Sequence, residues 1–221
     1  MDKKNVIFDL DDTLSKEILY LESAYKTIAD FIATKLSIDA VEVHQKMLRW
    51  YHTKENAFEK VVTAYSSDTV QLYKNELLDI YRNHLPNITL KEEVIAVLDY
   101  CKNKEYNLGL LTDGRSVQQR NKIKALGLST YFKEIVISEE FGSEKPNPNN
   151  YRYFESVFGE GTYYYIGDNT SKDFLSPNQL NWISICLKDN GENIHSQNFN
   201  LPKEYVPKHT IHTLKELLPL L

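Results

Sequence analysis

The feature that most constrains this chain is an apolar run, Val6-Ile7-Phe8, delivering three carboxylates within four residues, Asp9, Asp11 and Asp12. Such a run reads as a strand buried on both faces, as in a parallel sheet. Acids crowded at its end conflict with the needs of folding alone. Asp9 and Asp11 lie two apart and point the same way if the extended chain continues. Like charges that close repel, and a bound divalent cation would remove that cost. An Asp-rich turn that caps a helix accounts for the same residues and is open at this point.

Three further segments repeat the pattern. Leu108-Gly109-Leu110-Leu111 ends in Thr112-Asp113-Gly114, and Tyr163-Tyr164-Tyr165-Ile166 ends in Gly167-Asp168, with another acid at Asp173. Between them, the strand-like Glu134-Ile135-Val136-Ile137-Ser138 precedes Glu144-Lys145-Pro146, a lysine in a Pro-flanked loop. In open parallel sheets ligand groups gather at the carboxyl ends of the strands. Here those ends supply acids and a hydroxyl, and a following loop supplies a cation.

These four segments, in this order, resemble the motifs of the haloacid dehalogenase-like (HAD) hydrolases, most of which are phosphatases. The matching residues are Asp9-Leu10-Asp11-Asp12-Thr13, Thr112-Asp113-Gly114, Lys145-Pro146, and Gly167-Asp168 followed by Asp173. The resemblance runs from residue 5 to about residue 190. It implies an α/β fold, a Rossmann-like parallel-sheet core with an all-helical cap inserted after the first strand. The core would comprise 1–15 and 87–221 and the cap 16–86.

The resemblance also assigns chemistry. Asp9 would be the nucleophile, forming an aspartyl-phosphate, and Asp11 the acid and base that serves the leaving oxygen and then the hydrolytic water. Mg²⁺ would be held by Asp168, a carboxylate oxygen of Asp9 and the backbone carbonyl of Asp11; oxygen ligands with a phosphate partner suit that ion. Thr112 and the amide of Asp113 would bind phosphate oxygens, and Lys145 would offset negative charge. Asp173 would either meet the metal through water or orient Lys145, although a helix first-turn acid explains it equally. Asp113 before Gly114 is also an ordinary turn pair. Asp12 departs from the glycine many relatives carry there and is expected to serve the turn. After Asp173, Phe174-Leu175-Ser176-Pro177-Asn178-Gln179 departs from the small residues many relatives have.

Composition sets the class. At 221 residues with 42% hydrophobic and 26% charged side chains, the chain suits one globular domain plus an insertion. A net charge of −5 argues against a broad nucleic-acid-binding face. No apolar run nears the ~20 residues a membrane helix requires, and Met1-Asp2-Lys3-Lys4 leads straight into the first strand, leaving no room for a signal peptide. Cys101 and Cys186 lack metal-site spacing and read as buried free thiols. The expected compartment is the cytoplasm.

Between Lys16 and Pro86 there is no glycine, and apolar residues recur at helical spacing, as at Leu21, Tyr25, Ile28 and Ile32 and again at Leu72, Leu77, Leu78 and Tyr81. Further helices are expected over 90–105, 117–126, 149–158 and 171–181, a strand over 182–187, and a surface loop over 191–208. Thr213-Leu214-Lys215-Glu216 has capping-box spacing and should open a terminal helix. The six histidines show no metal-ligand spacing and read as structural or solvated. Within the insertion, Arg49, Trp50 and His52, with Tyr51 among them, offer a cation, stacking faces and a switchable donor for substrate contact; helix packing explains them equally.

The leading functional reading is a Mg²⁺-dependent phosphatase of a small phosphorylated metabolite such as a sugar phosphate, nucleotide or phosphoglycolate. A phosphomutase with the same motifs and a catalytically idle regulatory domain are the alternatives. Dehalogenase and phosphonatase relatives lack the second acid that Asp11 provides.

Overall fold

The computed structural model describes residues 3–221. Six strands form one wholly parallel sheet: β1 (Lys4–Phe8), β2 (Asn107–Thr112), β3 (Glu134–Ile137), β4 (Thr162–Gly167), β5 (Ile183–Leu187) and β6 (His209–Ile211), in the order β3-β2-β1-β4-β5-β6. The strand order reverses direction between β1 and β4, so a crevice opens at their carboxyl ends. The central strands are continuous apolar runs because both faces are covered: Val6, Ile7, Phe8, Leu110, Leu111, Tyr165 and Ile166 are all fully or almost fully buried.

By internal contacts the chain divides into two compact units, 1–18 with 89–221, and 19–88. The first holds the sheet and the helices α5 (Glu92–Asn103), α6 (Ser116–Ala125), α7 (Ser138–Phe141), α8 (Pro148–Phe158) and α9 (Leu175–Gln179). On one face Tyr151, Phe154, Phe158 and Trp182 pack with Ile7, Leu111 and Tyr165. Gly109 admits this packing, since a Cβ there would stand 2.5 Å from the Phe154 ring.

The second unit is helical, formed by α1 (Glu17–Leu36, which begins in the first unit), α2 (Ala40–His52), α3 (Ala57–Tyr65) and α4 (Lys74–Asn83). Buried within it are the α1 stripe from Tyr20 to Ile32 and Val43, Met47, Val61 and Leu77. Tyr20, Tyr25, Phe58 and Tyr81 meet with ring centroids 5.3–6.3 Å apart. His84 is bound by the Ser23 and Thr27 hydroxyls, a structural role.

Two expectations need correction, and one element was not foreseen. The helix expected over 171–181 is only Leu175–Gln179, because the Asn169 side chain and carbonyl draw Ser171, Lys172 and Asp173 into a turn. Pro177 fits in its first turn, where no N–H is required. The capping box does not start an α-helix: Leu214–Leu217 is a short 3₁₀ turn, and Glu216 reaches the amide of His212 and the Thr213 hydroxyl. The edge strand β6 was not foreseen; three residues are too few for a periodic signal.

Candidate active site

β1 ends at Phe8, and Asp9 still pairs with the sheet, its amide donating to Ile166 O at 2.8 Å. The chain then turns sharply. Asp12 adopts a left-handed conformation (φ 58°), which Asp tolerates better than most residues. One Asp12 oxygen accepts from the amide of Glu17 at the start of α1 and the other from the amide of Ile194. Asp12 therefore serves the turn, as expected from the sequence.

Asp9 is buried and its Oδ1 accepts from Lys145 Nζ at 2.6 Å. The same ammonium donates to Asp173 Oδ1 at 2.8 Å and to the Tyr165 hydroxyl at 3.3 Å. Asp173 Oδ2 accepts from the amide of Asn169 at 2.8 Å, so both of its oxygens are engaged. Gly167 is required by this arrangement: a Cβ there would lie 2.3 Å from Asp173 Oδ2. The carboxylate oxygens of Asp9, Asp168 and Asp173 cluster within 4.8 Å of one another, and all three residues are buried.

One buried lysine thus faces three buried carboxylates. Burial, opposed in part by Lys145 and reinforced by Asp173, pushes the Asp9 carboxyl up to about 8. Burial and the charges of Asp173 and Asp9 push Asp168 up to about 9. Burial alone would depress Lys145, but Asp173 and Asp9 outweigh it and hold the lysine well above its usual range.

Asp113 plays a part the sequence did not indicate. Its Oδ1 accepts from the amide of Lys145 at 3.0 Å and its Oδ2 from Lys172 Nζ at 3.2 Å, so it ties the end of β2 to the lysine loop. Thr112 is buried at that strand end, its hydroxyl accepting from Gln119 Nε2 at 2.6 Å. Gln119 also donates to Asp11 Oδ2 at 2.9 Å, and Lys122 Nζ to Asp11 Oδ1 at 2.6 Å.

These groups border a cavity of about 150 Å³ lined by Asp9, Asp11, Thr112, Asp113, Lys145 and Asp168, with Glu17, Lys172 and His195 also in its wall. Burial and the charge of Asp11 push Glu17 up to about 7. The segment 191–208, expected as a plain surface loop, reaches this site. Asp189 accepts from the amides of Gly191, Glu192 and Asn193. The loop so folded brings Asn193 Nδ2 to Asp168 Oδ2 and Gln197 Nε2 to Asp168 O, each at 2.8 Å. His195, read from sequence as structural or solvated, is exposed and lines the cavity. Arg49, Trp50 and His52 lie in the last two turns of α2, within the helical unit. Arg49 and His52 are exposed and Trp50 half-buried, with the Tyr51 and His52 rings 5.4 Å apart.

A family model for haloacid dehalogenase-like hydrolases matches residues 6–186. The chain belongs to the haloacid dehalogenase-like hydrolases. Among curated relatives, this hydrolase is 26% identical over 227 residues to a glyceraldehyde 3-phosphate phosphatase of Methanocaldococcus jannaschii, a match covering 98% of this chain and 96% of the relative. It is 29% identical over 189 residues to the N-acylneuraminate-9-phosphatase of Rattus norvegicus, covering 76% of this chain and 75% of the relative. The fold matches a HAD phosphatase from Thermococcus onnurineus with TM-score 0.62 at 23% identity, covering 98% and 97% of the two chains. It matches the putative HAD-hydrolase YfnB of Bacillus subtilis, determined bound to magnesium, with TM-score 0.63 at 19% identity, covering 100% and 99%. No described helix is long and apolar enough to cross a membrane.

Proposed function

We propose that this hydrolase is a Mg²⁺-dependent phosphatase that cleaves a small phosphorylated metabolite through an aspartyl-phosphate on Asp9. The observation that carries the reading is the buried excess of carboxylates around Lys145, open to a cavity at the carboxyl ends of β1, β2 and β4. An all-oxygen donor set with more carboxyl groups than cations, whose protons a cation can displace, fits Mg²⁺. Asp9, Asp168 and the backbone carbonyl of Asp11 would hold it. When bound, the ion supplies positive charge that attracts the phosphate and balances charge developing during transfer.

The chain's own groups divide the remaining work. Asp9 attacks phosphorus, and the bond from phosphorus to the ester oxygen breaks as that oxygen takes a proton from Asp11. Water then attacks the aspartyl-phosphate and gives a proton to Asp11. The bond from Asp9 to phosphorus breaks, releasing inorganic phosphate. Lys145 and the Thr112 hydroxyl bind phosphate oxygens. Asp173, which accepts from Lys145 Nζ and from the amide of Asn169, is assigned to orienting Lys145. The substrate is a phosphorylated sugar or sugar acid, the class of compound in the names of the relatives, and the enzyme acts in the cytoplasm.

The test is phosphate release over a panel of phosphorylated sugars and sugar acids, with Mg²⁺ and with excess chelator. Release that requires Mg²⁺ is expected. Equal release in chelator overturns the metal assignment. Isomerised sugar phosphate without free phosphate overturns the phosphatase reading in favour of a mutase.

A further inference from the structure

Helix α6 buries the wrong residues for a helix that only packs. Of its ten residues, only Gln119, Lys122 and Ile123 are buried. Gln119 and Lys122 are 1% and 2% exposed. A buried lysine is tolerated only where it is paired and hydrogen-bonded, so its partner indicates its purpose. Three residues apart, the two side chains share a helix face, and together they grip the carboxylate of Asp11. Lys122 Nζ is 2.6 Å from Oδ1, and Gln119 Nε2 is 2.9 Å from Oδ2 and 2.6 Å from the Thr112 hydroxyl. Lys122 also offsets the charge of Glu17. Gly114 makes room for this grip: its φ is 140°, and a Cβ there would press on the Gln119 side chain at 3.1–3.2 Å.

We propose that Gln119 and Lys122 are positioning residues that hold the Asp11 carboxyl group, by both oxygens, where it can serve the leaving oxygen and the hydrolytic water. The proposal rests on the phosphatase reading, in which Asp11 carries those protons. Gln119 also joins the acid–base group to the phosphate-binding hydroxyl of Thr112, so one side chain aligns two parts of the site. Misplacement of a reacting group by about 1 Å can cost on the order of 100-fold in rate.

p-Nitrophenyl phosphate separates positioning from general damage. Its leaving group departs without a proton, so transfer to Asp9 can proceed when Asp11 is misplaced. Attack by water still needs Asp11. Lys122→Met should therefore give a burst of about one nitrophenolate per enzyme followed by slow turnover, the pattern of an accumulating covalent intermediate. On an alkyl phosphate, which needs both protons, kcat should fall about 10- to 100-fold with KM little changed. Gln119→Met should show the same pattern more weakly and guards against Lys122→Met failing to fold. Asp11→Asn is the reference and should show the burst in its strongest form.

A folded Lys122→Met or Gln119→Met protein with wild-type kinetics overturns the proposal while leaving the phosphatase reading intact. So does an equal loss of burst rate and steady-state rate, which would mark a merely structural role. Wild-type turnover by Asp11→Asn overturns the acid–base reading itself.

Discussion

The two ends of the central strands handle buried polar groups in opposite ways. At the amino end, Asn5 of β1 and Asn107 of β2 sit side by side in register, both buried. Asn107 Nδ2 donates to Asn5 Oδ1 at 2.7 Å, and Lys133 Nζ donates to Asn107 Oδ1 at 2.7 Å. Two neutral amides pair with each other, one of them also meets a cation, and no carboxylate is present in the set. At the carboxyl end, Asp9, Asp168 and Asp173 crowd around a single lysine, and two of the three are pushed up to about 8 and 9. Neutral pairs suffice to tie strands together. On the proposed reading an incoming cation and phosphate complete the crowded carboxyl end, as perturbed groups commonly mark functional sites.

The largest expected effect breaks the carboxyl end alone. Asp9→Asn removes the nucleophilic charge with little change of shape, so turnover should fall at least about a thousand-fold. The metal-free protein should lose little thermal stability at neutral pH. Burial pushes the Asp9 carboxyl up to about 8, so it is already largely protonated there and the amide replaces a neutral group. Near-normal steady-state kinetics from this variant would rule out the aspartyl-phosphate.

A mutation at the amino end should do the reverse. Asn107→Ala leaves Asn5 Oδ1 and Lys133 Nζ without their shared partner. It should cost about 1–3 kcal/mol of stability, a fall in Tm of roughly 2–4 °C per kcal/mol in a protein of this size. Its kcat and KM should match wild type; a specific loss of kcat would show that the two ends are coupled through β1 and β2.

The carboxyl end was the more legible of the two. Asp9, Asp11, Thr112, Lys145 and Asp168 each follow an apolar run, or a loop after one, and the parallel sheet brings such ends together whatever the intervening loops do. Asn5 and Asn107 are single amides at the starts of strands and carry no pattern. Gln119 and Lys122 were missed because α6 has no apolar stripe: its buried face is itself polar, so periodicity cannot reveal it. Asn193, His195 and Gln197 were missed for another reason. A glycine-marked polar stretch reads as solvent-exposed, and only the three amides gathered by Asp189 turn it back onto Asp168. The Asx turn at Asn169 is equally local and shortened α9 in the same way.

The smallest effect sharpens the comparison through pH. Asp9 and Asp168 have ordinary values of 3.8 and are raised to about 8 and about 9 in the metal-free fold. Between those limits the folded state binds more protons than the unfolded chain, so these two groups favour folding at low pH and lose that contribution as pH rises. Lys145 is raised above 10.5, and its contribution is constant below that pH. The Tm of metal-free protein should therefore decline from about pH 6 to 9 through the carboxyl end, a slope that Asp9→Asn should reduce. Mg²⁺ requires ionised ligands and competes with those protons. The rise in Tm that Mg²⁺ produces by linkage should thus grow with pH over the same window. The amides of Asn5 and Asn107 carry no titratable proton, so Asn107→Ala should shift the whole Tm curve without altering its slope. A Mg²⁺ stabilisation independent of pH between 6 and 9 would show that the ion does not bind at the raised carboxyls of Asp9 and Asp168.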